Sequence, residues 1–259
     1  MKQIILISGA TATGKTNIAT RIARAVDGIL LPIDQLQMYW SLEVGTNLDI
    51  SAFKGIFTVG YQSQDPWHRL KPEEYVSWLL FQLSELSQTK TVIIEGCSTT
   101  FITELLAQSK SDPLLQNTRI MALAPYGSDR HRRQKIKDHY DEARVRAISE
   151  EVGKLHALKL FDETGLPLFE KCESTMVQPD CRHEGLAWAL RAAASVYYPA
   201  YLLLVGKSSL KAVRDRIVEN VFNIQSYQNE YLHGLIDEKL FFSNKQPSAI
   251  HSFATKMTV

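Results

Sequence analysis

Gly9-Ala-Thr-Ala-Thr-Gly-Lys-Thr16 follows directly on the apolar run Ile4-Ile-Leu-Ile7, and this stretch decides how the rest of the chain is read. An apolar strand, a glycine-bracketed loop and then a helix make a phosphate-binding P-loop. Backbone N–H groups from Gly9, Thr11, Thr13 and Gly14 cradle phosphate oxygens, Lys15 adds positive charge, and the Thr16 hydroxyl suits a Mg²⁺ ion. The context matches the spacing, because Ile18, Ile22 and Val26 recur at i, i+4, i+8 and the periodicity stops at Asp27-Gly28. A di- or triphosphate ligand is the direct implication. The expected fold is α/β: a P-loop NTPase-like parallel sheet flanked by helices, with a helical lid and C-terminal part.

Working outward, Gly28-Ile-Leu-Leu-Pro-Ile33 reads as a second buried strand that stops at Asp34. In open α/β sheets ligands sit beyond the carboxyl ends of the strands, so Asp34 and then Gln37 are expected in the same crevice as the P-loop. An aspartate after a strand is equally often a helix cap. Residues 49–72 read as loop with a short strand at Ile56–Val59, and Pro72 opens a helix whose apolar residues, Trp78 and Phe81 included, are expected in the core. Thr91–Glu95 is a third strand, so Glu95 and the hydroxyls of Ser98, Thr99 and Thr100 are expected at the crevice, where Ser98 or Thr99 also suits an N-cap. Thr118–Ala124 is a fourth strand.

The remainder reads as helical. Residues 128–160 are charged and helical, with arginines and lysines among acids, and one or two of the arginines are expected to reach the phosphates as lid residues. Residues 184–198 and 208–242 form further helices, Tyr201–Val205 is strand or helix, and the last dozen residues are a loose tail. The expected organisation is one domain over 1–259, with 126–180 as lid and 184–242 as C-terminal helices.

Composition bounds the function classes. Lys and Arg total 29 against 28 Asp and Glu, a formal charge of +1, which argues against strong nonspecific nucleic-acid binding while leaving room for a local basic groove. Three cysteines, an odd number, and a start that leads straight into a core strand imply a reducing, cytoplasmic setting. No apolar run reaches membrane-spanning length, so no membrane partner is expected. Cys172, Cys181 and His183 do not have the spacing of a metal site.

Taken together, Gly9–Thr16, Asp34-x-x-Gln37 followed by Val44-Gly45-Thr46, and Ile94-Glu-Gly-Cys-Ser-Thr99 resemble the successive motifs of the isopentenyltransferases, over roughly residues 2–150. That family includes adenylate isopentenyltransferases, which make cytokinin precursors, and tRNA dimethylallyltransferases. The resemblance implies that the P-loop holds the diphosphate of dimethylallyl diphosphate or a hydroxylated analogue, with Mg²⁺ on Thr16. It further implies that the N6 amine of an adenine attacks the allylic carbon. By similarity, Asp34 accepts the N6 proton, Thr46 and Ser98 sit in the nucleotide site, and Arg144 closes over the donor diphosphate.

Departures from the family pattern gather in the final third. Glu184 stands where adenylate enzymes carry an aspartate near the prenyl tail, and Phe222 and Gln225 stand where a tyrosine and a histidine are expected. Size and balanced charge favour a free adenine nucleotide (AMP, ADP or ATP) over tRNA as acceptor. The alternatives are tRNA dimethylallyl transfer, a P-loop small-molecule kinase that uses ATP and Asp34 as base, and a noncatalytic nucleotide-gated binding protein.

Overall fold

The computed structural model describes residues 2–64, 68–109, 111–116, 118–157, 189–190, 192–237 and 241–243. Its sheet has six strands, all pairing in parallel, in the order β3-β2-β4-β1-β5-β6. In chain order these are β1 (Ile4–Gly9), β2 (Ile29–Pro32), β3 (Phe57–Thr58), β4 (Val92–Gly96), β5 (Arg119–Ala124) and β6 (Phe241–Ser243). The helices are α1 (Lys15–Ala25), α2 (Pro72–Leu86), α3 (Thr99–Gln108), α4 (Pro113–Gln116), α5 (Asp129–His139), α6 (Glu142–Ala157), α7 (Ala194–Leu204) and α8 (Leu210–Leu235).

Because side chains alternate across a strand, the buried run of β1 serves two cores at once. Ile4 and Leu6 join Val92 and Ile94 under Tyr75, Leu79 and Leu83 of α2 and Phe101 and Leu105 of α3. Ile5 and Ile7 face the other way, onto Ile18, Ala19 and Ile22 of α1. A third apolar cluster lies among α5 to α8 and takes in Tyr39 and Leu42 from the loop after β2. That loop therefore links the helical layer to the strand ends, where the P-loop also lies.

Several expectations need correction. The charged, helical stretch beyond residue 128 divides into two helices. Tyr140 leaves helical geometry at φ −97°, ψ 60°, and the Asp141 side chain accepts the Arg144 N–H to start the next helix. Phe81 is 62% exposed. It lies on the opposite side of α2 from Leu79 and Leu83, since two residues turn a helix by about 200°. Trp78 is half-buried beside Tyr75, with ring centroids 5.7 Å apart. Tyr201–Leu204 belongs to α7, which carries Pro199 internally. Part of the expected last helix is strand β6, whose backbone pairs with β5 and covers an otherwise open edge. Residues 244–259, with Cys172, Cys181, His183 and Glu184, lie outside the described residues. Among the described residues, no helix is long and apolar enough to cross a membrane.

Candidate active site

The P-loop leaves β1 at the sheet's carboxyl edge and ends at Gly14, the N-cap of α1, whose φ of +87° is one that L side chains rarely adopt. Inside the loop the Thr13 hydroxyl donates to the Ala10 carbonyl (2.8 Å), and Lys15 Nζ donates to the same oxygen (3.0 Å). Helix α8 clamps the loop from outside. The Thr11 N–H donates to Gln228 Oε1, and Gln225 Nε2 donates to the Thr11 carbonyl, both at 2.8 Å. Thr11 is thus held through both its N–H and its carbonyl by side chains more than two hundred residues away.

Asp34 follows β2, and its Oδ1 accepts the Leu36 N–H at 3.1 Å, so it caps the short 3₁₀ turn Gln35–Met38. Capping does not remove it from the crevice: Asp34 lines the same cleft as Thr11, Gly14, Lys15, Thr16, Gln37 and Thr46. Burial holds its carboxyl above the usual range, while the Leu36 amide and the Lys15 charge pull the other way. At Gly96, whose φ is +144°, a Cβ would lie 2.9 Å from the Ile33 carbonyl carbon. Only glycine lets the end of β4 approach Asp34 that closely. The cleft, about 370 Å³, is completed by Ala12, Asn47, Glu95, Gly96, Lys135 and His139. Gln37 is buried, with its Oε1 lacking a hydrogen-bond partner.

Other expected site residues lie elsewhere. Ser98 accepts the Phe101 N–H at 3.4 Å and caps α3, and Thr99 is the first residue of that helix; neither lines the cleft. Arg144 braces the turn at the cleft's rim, with Nη2 donating to the Val44 carbonyl (2.8 Å) and to Asn47 Oδ1 (2.9 Å). Phe222 is buried under two guanidinium groups, 4.6 Å from Arg132 and 3.6 Å from Arg133. Gln225 accepts from Arg132 Nε at 2.9 Å, so both ends of its amide are engaged.

Glu95 lies at the crevice edge as expected, whereas Tyr61, Lys135 and His139 were not singled out from sequence. Glu95 Oε2 accepts from the Thr16 hydroxyl at 3.3 Å, and its Oε1 from Tyr61 at 3.0 Å. Lys135 and His139 reach the cleft from α5. Their i, i+4 spacing places them on one face, but among so many charges nothing local marks that face. His139 stays neutral because burial, and secondarily Arg144, depress its pKa to about 4.

The family model described as Isopentenyl transferase matches residues 2–125. That match, a little under half of the chain, is to the isopentenyltransferases. A tRNA dimethylallyltransferase from Pediococcus pentosaceus is 23% identical over 223 residues, covering 76% of this chain and 65% of that relative. One from Corynebacterium jeikeium is 32% identical over 120 residues, 43% of this chain and 38% of its own length. The chain thus matches less than two thirds of these relatives. Among solved structures, a tRNA delta(2)-isopentenylpyrophosphate transferase from Staphylococcus epidermidis superposes with a TM-score of 0.71 at 12% identity, covering 100% of this chain and 98% of that one. A eukaryotic dimethylallyltransferase acting on tRNA gives 0.71 at 13% identity, with coverage of 100% and 78%. These likenesses establish the isopentenyltransferase fold.

The relatives are named as tRNA enzymes, which favours the tRNA alternative over a free nucleotide and a cytokinin pathway. Net charge sums the whole surface and is blind to local patches. On α5 alone, Arg130, Arg132, Arg133, Lys135 and Lys137 stand together within eight residues.

Proposed function

We propose that this chain transfers a dimethylallyl group from dimethylallyl diphosphate to the N6 amine of an adenine in tRNA. The observation that carries this reading is the placement of Asp34, a carboxylate at the end of β2, in one cleft with the P-loop groups Lys15 and Thr16. The substrate class is supported by the tRNA dimethylallyltransferases that the chain resembles. A hydroxylated prenyl donor and a free AMP, ADP or ATP acceptor are arms of the same test.

The N6 nitrogen attacks the allylic carbon while the carbon–oxygen bond to diphosphate breaks, and the electron pair leaves with the diphosphate. Lys15 and the P-loop amides stabilise the charge growing on that leaving group. Asp34 takes the proton that N6 loses, and its raised pKa suits a base near neutrality better than an ordinary aspartate would. Thr46 and Asn47 on one wall, and Lys135 and His139 on another, confine the acceptor. The Thr16 hydroxyl and Glu95 carboxylate are hard oxygen donors 3.3 Å apart, a set that fits Mg²⁺. Bound there, the ion supplies Lewis-acid stabilisation of the leaving diphosphate.

The test is to incubate the protein with Mg²⁺, each prenyl diphosphate, and either tRNA or AMP, ADP or ATP, and then seek by mass an adenine enlarged by one C5 unit. Product from tRNA supports the proposal. Product from a free nucleotide alone replaces the acceptor, and ADP formed from ATP without any prenylated adenine overturns the reading in favour of a kinase.

A further inference from the structure

We infer that Asn47 reads the acceptor base: its side-chain amide donates a hydrogen bond to a ring nitrogen beside the reacting amine, and Arg144 is the positioning residue that orients that amide. The inference rests on the proposed prenyl transfer to an adenine, but not on whether that adenine belongs to tRNA or to a free nucleotide.

The backbone supplies the first support. Asn47 lies in a turn where its N–H donates to the Val44 carbonyl at 3.3 Å and the Leu48 N–H donates to the Glu43 carbonyl at 2.8 Å. Its φ is +62°, a left-handed conformation that asparagine tolerates better than most side chains do. The Glu151 carboxylate ties the same turn to α6 through the N–H groups of Val44 and Gly45. The Asn47 side chain therefore starts from a fixed point on the cleft wall.

Arg144 supplies the second. A guanidinium only donates, so the amide atom that meets Arg144 Nη2 at 2.9 Å is the oxygen, Oδ1. The same Nη2 donates to the Val44 carbonyl at 2.8 Å, which holds the arginine to the turn it orients. With Oδ1 committed, the Nδ2 group keeps its two N–H donors for a ligand; among the described residues it meets no acceptor. The neighbouring Thr46 cannot take this part, because its hydroxyl proton is given to the Leu42 carbonyl.

The chemistry of the base supplies the third. Asp34, an acceptor, and Asn47, a donor, line one cleft. Adenine presents the complementary pair: an amine that donates from N6, and ring nitrogens N1 and N7 on either side that accept. Guanine carries an oxygen in place of that amine and would set an acceptor against the Asp34 carboxylate. One contact at N6 leaves the ring free to pivot; a second, from Asn47, holds the base in the orientation from which the amine attacks.

The experiment measures kcat/KM for prenyl transfer by the full chain to tRNA or AMP, whichever the parent uses, carrying adenine, 1-deazaadenine or 7-deazaadenine at the prenylated position. Asn47→Asp keeps the shape and the acceptor for Arg144 but removes the donor; a loss of about tenfold or more on adenine is expected. Asn47→Gly, which suits the positive φ, should lose a similar factor. One of the two deaza acceptors should cost the parent about as much, and on that acceptor Asn47→Gly should lose nothing further. Arg144→Lys, still a donor to Oδ1, should retain more activity than Arg144→Ala, and the Ala defect should likewise shrink on that acceptor. Affinity for inorganic diphosphate should be the same in every variant. Unchanged kcat/KM in Asn47→Asp, an Asn47→Gly loss of equal size on all three bases, or a fall in diphosphate affinity overturns the inference alone. A parent that prenylates no adenine overturns the proposed function and the inference with it.

Discussion

Removing Glu151 should loosen one wall of the cleft from a distance. This α6 residue is 6% exposed, and its carboxylate accepts the Val44 N–H at 2.9 Å, the Gly45 N–H at 2.9 Å and the Tyr197 hydroxyl at 2.7 Å. It fastens the turn that leads to Thr46 and Asn47, both of which line the cleft. In Glu151→Ala three donors lose their acceptor, at about 1–3 kcal/mol for each buried group. Relief of the carboxylate's own burial, which raises its pKa in the fold, offsets part of that cost. A net loss of about 3 kcal/mol is the expectation. For a chain of this size it corresponds to a fall in melting temperature of roughly 6–12 °C. Circular dichroism melts measure it directly, and a cycle with Tyr197→Phe should show coupling of about 1 kcal/mol. The KM for the adenine acceptor should rise more than kcat falls, because the loosened residues confine substrate and do not react. A Glu151→Ala melt within about 2 °C of the parent, with KM unchanged, would refute this account of the turn.

Asp34→Asn should reduce turnover by about 10²-fold or more while leaving diphosphate binding nearly intact. In the parent, the raised pKa of Asp34 should place the acidic limb of kcat/KM above the ordinary aspartate range, and loss of folding in the variant would instead support a capping role alone. Gln228→Ala, which strips the acceptor from the Thr11 N–H, should weaken diphosphate binding several-fold with little change in acceptor KM, as calorimetric titration would reveal. His139 tests pH linkage: its folded pKa of about 4 lies below the unfolded value of 6.5, so the unfolded chain binds the extra proton between those limits. Its contribution is complete above pH 6.5 and is lost as pH falls toward 4. After discounting for partial exposure it amounts to about 2 kcal/mol, and urea titrations of His139→Gln should show a flatter stability profile across that interval.

The P-loop, the strands on either side of it and the position of Asp34 were legible in the chain because each is encoded within a dozen residues. A buried parallel strand must be continuously apolar, a phosphate loop needs glycine at set intervals, and the residue after a strand falls at the sheet's carboxyl edge. The resemblance to the isopentenyltransferases was legible for the same reason, since their motifs are short and ordered. Less was visible where one residue type permits two roles. Ser98 proved to be a helix cap, and Arg144 braces a turn, because a hydroxyl or guanidinium bonds whichever partner the fold brings near.

What only the tertiary structure decided are the contacts between distant segments: Thr11 with Gln225 and Gln228, Thr16 with Glu95, and the Val44–Gly45 turn with Glu151. Local pattern reports which face of an element is apolar, not which polar side chain of another element will meet it. That pairing depends on how helices and strands stack, and burial then penalises any donor or acceptor left without a partner. The sequence by itself determined that a phosphate loop and an aspartate share an edge of a parallel sheet; packing determined which glutamines, acids and lid residues surround them.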